Sequence, residues 1–151
     1  MADSRIVQTH KKLQELIGVD YAAGFSGVNL SLDNVVRGRI EAPPYVPFAT
    51  IAYQGTNEEY GPTLGRYQGR SIFEVFAYVG GDSYQIRSDN SINLSFDIIK
   101  AITNDRSLGL GGLIDDVICS QDSIDGDEVG LQSIGIGYVK ITVSFQSDNG
   151  A

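Results

Sequence analysis

DNSINLSFDIIKAITNDRSLGLGGLIDDVIC, residues Asp89 to Cys119, reads as a helix, a glycine-rich stop and then a strand. Ile92, Phe96, Ile99 and Thr103 recur at helical spacing, and Leu94, Ile98, Ala101 and Ile102 broaden that stripe, so much of the predicted helix from about Asp89 to Thr103 should be buried. Asn104-Asp105 ends the pattern. Gly109, Gly111 and Gly112 then allow the backbone to reverse. A strand over Leu113–Ser120 should follow. A phosphate cradle would need its glycines ahead of a helix, where free N–H groups point at the anion, and these glycines come after one. The stretch is scaffold.

Working toward the N-terminus, Gly69–Val79 (GRSIFEVFAYV) is the clearest strand of the first half. One face carries Phe73, Val75, Ala77 and Val79, the other Ile72, Glu74, Phe76 and Tyr78. With both faces largely apolar, the strand is central or meets another subunit. Pro47–Gln54 reads as a buried strand, Gly55-Thr56-Asn57 as a turn and Glu58–Arg66 as a loop leading to an edge strand. Ala42-Pro43-Pro44 must break any strand over Asn34–Glu41. Residues 19–47 are a mobile or extended excursion; its first part, Val19–Asn34, is rich in Gly, Ala and Ser, with Tyr21–Phe25 and Val28–Leu32 as brief strands or an ordered loop. Ser4–Ile17 is the first helix, capped by Asp3 or Ser4, with Ile6, Leu13 and Ile17 on one face and His10 between them.

Toward the C-terminus, Gln121–Glu128 is acidic and loop-like. Gln132–Gln146 is a strand in which Val139, Ile141, Val143 and Phe145 alternate with Tyr138, Lys140, Thr142 and Ser144, so one face is buried and the other wetter. The order helix, strands, helix, strands predicts one α+β domain over 1–151: a mostly antiparallel sheet, an N-terminal helix and a second helix packed on it.

The chemistry-bearing residues are few. The formal charge is −8, which argues against a dedicated nucleic-acid reader but suits a protein that lies near DNA without holding it. The lone Cys119 excludes an internal disulfide and a thiolate zinc site, and its apolar neighbours make it a small buried residue. His10, the sole histidine, reads as structural. Asp115 and Asp116, being adjacent, point to opposite faces of a strand and do not make an acid–base pair. Asp122, Asp125, Asp127 and Glu128 have the oxygens for a hard cation but not the spacing of a calcium-binding helix–loop–helix, and a solvated acidic loop is the simpler reading. No catalytic, cofactor-binding or metal-ligating set is expected. The first residues lack the apolar core of a signal peptide, and no run has the ~20 apolar residues of a membrane span.

The span IIKAITNDRSLGLGGLIDDVIC, followed by an acidic loop and the alternating strand Tyr138–Phe145, resembles the C-terminal half of the tail terminator (tail completion) proteins of long-tailed bacteriophages. In that family a helix ends in a short D-x-x-L-G-G segment leading to a strand. The matching residues here are Ala101, Ile102, Asp105, Leu108, Gly111, Gly112, Leu113, Ile114 and Val117. Gly109-Leu110 is an additional pair within the motif, and the 19–47 excursion has no clear counterpart. The resemblance implies a structural virion protein without enzymatic activity or cofactor. Such a protein forms a homohexameric ring that caps the tail tube, stops tail polymerisation and joins the head connector, with DNA passing through unbound. The implied location is the tail–neck junction of the virion, after assembly in the host cytoplasm, and the implied partners are the tube protein and the connector or stopper protein, with no membrane. Another head–tail adaptor or minor tail protein is the neighbouring alternative; a small enzyme would have only His10, Asp115 and Asp116 to work with. If the ring reading holds, subunit contacts are expected from Tyr53, Tyr60, Tyr67, Phe73, Phe76 and Tyr78, because tyrosine and exposed apolar side chains favour interfaces. Asp122, Asp125, Asp127 and Glu128 are expected at a ring surface or its lumen.

Overall fold

A computed structural model describes residues 3–19, 24–60 and 67–147. The described chain is an α+β fold whose five-stranded sheet has the order β1-β2-β3-β5-β4. The strands are β1 (Val35–Arg37), β2 (Phe48–Tyr60), β3 (Tyr67–Gly80), β4 (Asp116–Asp125) and β5 (Ile134–Ser147), and the helices are α1 (Arg5–Gly18) and α2 (Tyr84–Thr103). Only the short β1–β2 pairing is parallel; β2–β3, β3–β5 and β5–β4 are antiparallel.

Both helices lie on one face of the sheet. Leu13 and Ile17 of α1 and Leu94, Ile98 and Ile102 of α2 share one buried cluster with Ile51, Phe73, Val75, Val139, Ile141 and Val117. The strand residues of that cluster are alternate ones, as the two-residue period of a strand requires. Ser4 caps α1 by accepting the Val7 N–H at 3.2 Å. Ser83 caps α2 in the same way through the Ile86 N–H.

That second cap places the start of α2 well before the expected Asp89. The buried face of α2 also differs from expectation. Phe96 is exposed, and the inward positions are Arg87, Ser91, Leu94, Ser95, Asp97, Ile98 and Ile102. The reason lies in β5: an added Cβ at Gly135 would stand 2.5 Å from the Arg87 carbonyl oxygen, and one at Gly137 would stand 2.3 Å from Ser95 Oγ. The two glycines of β5, faced at Gly137 by the small Ser91 and Ser95, let the helix backbone sit almost against the strand, so the apolar stripe that periodicity suggests is turned partly outward.

Three strand boundaries also move. β2 does not turn at Gly55 but continues to Tyr60 past a bulge between Tyr53 and Gly55, where Gly55 takes φ 125°. β4 begins at Asp116, not Leu113, and extends through the supposed acidic loop to Asp125 before a short 3-10 turn, Gly126–Val129. Of the strand expected over Asn34–Glu41 only Val35–Arg37 pairs. Within the 19–47 excursion, residues 20–23 lie outside the described residues, whereas 24–34 and 38–47 form no strand or α-helix.

Candidate functional site

The sheet face opposite the helices carries the residues available for contact. Register aligns its side chains in rows across the strands: Phe48–Tyr78–Ile136–Ile124, then Thr50–Phe76–Tyr138–Asp122, then Ala52–Glu74–Lys140–Ser120, then Ile72–Thr142–Ile118. At one end, Phe48, Tyr78 and Ile136 form a small second cluster with Val36, Ile40, Phe76, Ile124, Leu131 and Ile134. Elsewhere no described helix covers this face. A depression of about 240 Å³, lined by Arg39, Ile40, Thr50, Gln54, Glu74, Phe76 and Tyr78, opens beside β2 and β3.

The polar groups of this open face are ordered by cross-strand contact. Tyr138 donates its hydroxyl to Glu74, and its ring lies 5.3 Å from that of Phe76. Desolvation, reinforced by the Glu74 carboxylate, pushes the Tyr138 phenol up to about 12. Arg39 and Arg70 are exposed and form no ion pair among the described residues; the same holds for Lys140.

Beyond β5, the edge of the sheet is acidic. Between Arg106 and Lys140 the chain has six acidic residues and no basic one. Three of the six meet arginines of the same chain. Asp116 receives Arg106 Nε at 2.6 Å and Nη2 at 2.8 Å, which lowers its carboxyl below the ordinary range. Asp125 receives Arg87 Nε at 2.9 Å and Nη2 at 3.4 Å, and its hydrogen bond with Arg87 depresses it likewise. Asp127 meets the same guanidinium more loosely, at 3.4 Å, from an exposed position. Asp115, Asp122 and Glu128 are exposed.

The structure separates the residues expected at an interface. Phe73 is a correction: it is fully buried beneath α1, with its ring 5.3 Å from the His10 imidazole, because it belongs to the helix-covered face of β3. Asp125 is a second correction, since its carboxylate is 9% exposed and held by Arg87 rather than presented to solvent. Tyr78 is 6% exposed and lines the depression mostly with its ring. Phe76 lies on the open face. Tyr53 is on the helix side, 39% exposed, with its ring 5.4 Å from Phe73 and its hydroxyl bonded to Thr56. Tyr60 and Tyr67 pair across the end of the β2–β3 hairpin; their side chains lie outside the described residues. Asp122, Asp127 and Glu128 remain exposed on the β4 side.

The groups that an enzyme would have to use are dispersed. His10 Nε2 donates to the Ile51 carbonyl oxygen at 2.7 Å, and burial lowers its pKa. The Cys119 thiol is raised to about 11 by burial, so it is a poor nucleophile at neutral pH. Among the described residues no three His, Cys, Asp or Glu side chains are grouped to hold a metal ion.

Two structural devices escape a reading of sequence periodicity. Asp97, 1% exposed on α2, accepts the Phe25 N–H and Ser26 N–H at 2.9 Å each and the Ser26 hydroxyl at 2.7 Å, so it holds the segment after α1 to the second helix. Arg87 ties the first turns of α2 to the end of β4 and also reaches the Gly81 carbonyl. An Asp among apolar helix positions is a visible signal for the first; the second joins residues 38 apart and has none.

No protein-family model matches the chain, and no curated protein matches it.

Proposed function

We propose that this chain is a ring-forming structural protein of a phage tail neck: it caps the tail tube, stops tail polymerisation and supplies the joint to the head connector. The observation that carries the reading is the open sheet face, ordered in rows and left uncovered by both helices, in a protein that has spent all its described helix on the other side. A surface that combines the exposed Ile118 and the half-buried Phe76 and Tyr138 with Arg39 and Arg70, which form no ion pair among the described residues, fits a partner better than it fits bulk water. The residues carrying the family resemblance also sit together. Leu108, 1% exposed at φ 55°, anchors the turn from α2 to β4, and the Asp105 carboxylate accepts the Ser107 N–H at 2.9 Å to begin it. The reading assigns the chain a structural, cofactor-free role at the tail–neck junction, with DNA passing through the ring unbound.

The test is direct. The purified chain imaged by negative stain should give sixfold rings, and phage particles made without it should carry tubes of unregulated length. Tubes of normal length and normal head attachment in its absence would refute the proposal.

A further inference from the structure

We infer that the free edge of β2, from Tyr53 to Tyr60, pairs with the same edge of a second copy of this chain, antiparallel about a two-fold axis at Asn57. The inference goes beyond the ring reading and does not rest on it, since the contact is made by backbone at a sheet edge. Backbone N–H and C=O groups along a strand point alternately to its two neighbours. Gly38 donates its N–H to the Ile51 carbonyl oxygen at 2.8 Å, so Ile51 faces β1. Carried through the registers, that alternation turns the backbone groups of Val117, Cys119, Gln121 and Ser123 away from β5, at the outer edge of β4. On β2 the bulge before Gly55 resets the phase, and Thr56, Glu58 and Tyr60 then face away from β3.

Elsewhere the chain plugs its own edges. On β4 the Val117 N–H donates to the Asp116 carboxylate at 2.9 Å and the Ser123 N–H to the Asp122 carboxylate at 2.8 Å, which leaves only Cys119 and Gln121 between two plugs. On β1 the Val35 carbonyl oxygen accepts the Gln14 side-chain amide at 3.0 Å. The Ile51 carbonyl oxygen of β2 accepts both Gly38 and His10. Past Ile51 the plugs stop. β1 has ended at Arg37, and the outward backbone groups of Thr56, Glu58 and Tyr60 meet no partner among the described residues. The Thr56 hydroxyl bonds to those of Tyr53 and Ser71 rather than to the edge. An edge strand left unplugged is a template for another strand.

A second copy is the occupant because this is the open edge each copy has to offer. The β4 edge is plugged, so a strand-to-strand contact between copies runs β2 to β2. An antiparallel edge is also complementary to itself, which is the isologous geometry of a two-fold pair. With Asn57 on the axis, Thr56 of each copy exchanges both N–H···O bonds with Glu58 of the other copy. An axis at Glu58 would set that residue against itself, like charge opposite like. The pairing joins the two sheets edge to edge and leaves both open faces uncovered, so it can coexist with the contacts of a ring.

Disulfide trapping of the full chain reads this register. In a Cys119→Ala background, Asn57→Cys places two thiols across the axis, at a pair whose Cα atoms stand about 4.5 Å apart, within the span a disulfide bridges. Gln54→Cys, equally exposed, is the control, because the two copies of that position lie about 20 Å apart along the paired strands. After mild oxidation and non-reducing electrophoresis, Asn57→Cys should give a covalent dimer and Gln54→Cys should stay monomeric. Thr56→Pro removes an outward N–H that the monomer's ladder does not use. It should weaken self-association at least about tenfold in sedimentation equilibrium, whereas Gln121→Pro at the β4 edge should not, with circular dichroism to verify folding. Where a proline variant is unfolded, the trapping decides. Equal trapping at both positions, no trapping of folded Asn57→Cys, or association unchanged by Thr56→Pro would overturn the pairing and leave the ring reading standing. Trapping at position 57 alone, in a protein that forms no ring, would overturn the ring reading and support the pairing.

Discussion

Replacing Gly137 by alanine should destabilise the protein by forcing α2 off the sheet. The backbone at Gly137 does not require glycine, since its φ is not in the left-handed region. The obstacle is entirely the helix. An added Cβ would lie 2.3 Å from Ser95 Oγ and 2.7 Å from the Ser91 carbonyl oxygen, while ordinary contact begins near 3.4 Å. The hydroxyl can rotate away, but the carbonyl belongs to the helix backbone, and relieving it requires α2 to rise by about 0.7 Å. A gap of that size forfeits roughly a quarter to a half of each facing dispersion contact, and Leu94 and Ile98, both fully buried, lie on the same stretch of helix. Overpacking of this kind costs about 1–3 kcal/mol, offset by the ~0.5–1 kcal/mol gained from removing a strand glycine's freedom in the unfolded chain. The midpoints leave a net loss of about 1.2 kcal/mol, with an upper bound of about 2.5 kcal/mol, which lowers Tm by roughly 2–5 °C at the midpoint in a domain of this size. Urea denaturation gives the free energy and calorimetry the Tm. Gly112→Ala is the control, because its Cβ would meet nothing within 4 Å, and it should change stability by less than about 0.5 kcal/mol. If Gly137→Ala matched the control, α2 would not ride on β5 as closely as described, and the account of why Ser91 and Ser95 face inward while Phe96 faces out would fail.

Asp97→Asn should cost about 2–4 kcal/mol, since the amide nitrogen would turn one donor toward the Phe25 and Ser26 N–H groups in a buried site; hydrogen exchange should report faster exchange at those two amides first. His10 should make stability depend on pH. Its folded pKa lies below 6.5, so the unfolded chain binds the proton more readily, and stability is complete above pH 6.5 and declines as pH falls from there through the folded value. Replacement by Gln, which retains a donor for the Ile51 carbonyl, should flatten that segment of the pH–stability curve. Cys119 should alkylate slowly at pH 8 in the native protein, by about 100-fold relative to the urea-unfolded chain, given a thiol at about 11 instead of 9; equal rates would show that β4 is not packed as described.

The parts of the fold legible from sequence are those in which side-chain polarity follows burial. β5 alternates cleanly, and Val139, Ile141, Val143 and Phe145 are all buried, while β3 is apolar on both faces, as a central strand is. The α+β class and the central place of β3 follow from them. The parts that differ are those where burial does not track hydrophobicity. Ser91 and Ser95 are fully buried because glycines face them, so the inward side of α2 looks polar and Phe96 looks inward. The start of α2 was marked only by Ser83 as a cap, in a polar segment without periodicity. β4 carries Asp122, Ser123 and Asp125, a loop-like composition that an edge strand tolerates because its outer side meets water. Interface candidates divide in the same way. Tyrosine and phenylalanine content pointed to β3, but only strand parity decides that Phe76 is on the open face and Phe73 is under α1.

That parity also separates stability from assembly. Along β3 and β5, helix-side residues such as Val75 and Ile141 are fully buried, whereas open-face residues Lys140 and Thr142 retain solvent contact. Truncation of a buried aliphatic costs about 2–5 kcal/mol, and a substitution at an exposed position away from specific contacts is usually within ~0.5 kcal/mol. If the open face meets a partner, the order of effects inverts when assembly is measured instead of folding. A charge introduced at Thr142, next to Ile118 in its row, should leave the monomer's urea midpoint almost unchanged and still block ring formation. Val75→Ala should lower the midpoint yet permit rings wherever the chain remains folded. A face that behaved the same in both assays would be ordinary surface. The contrast between neighbouring residues on one strand, rather than the effect of any single substitution, distinguishes an assembly protein from an isolated acidic domain with one sheet face left open to solvent.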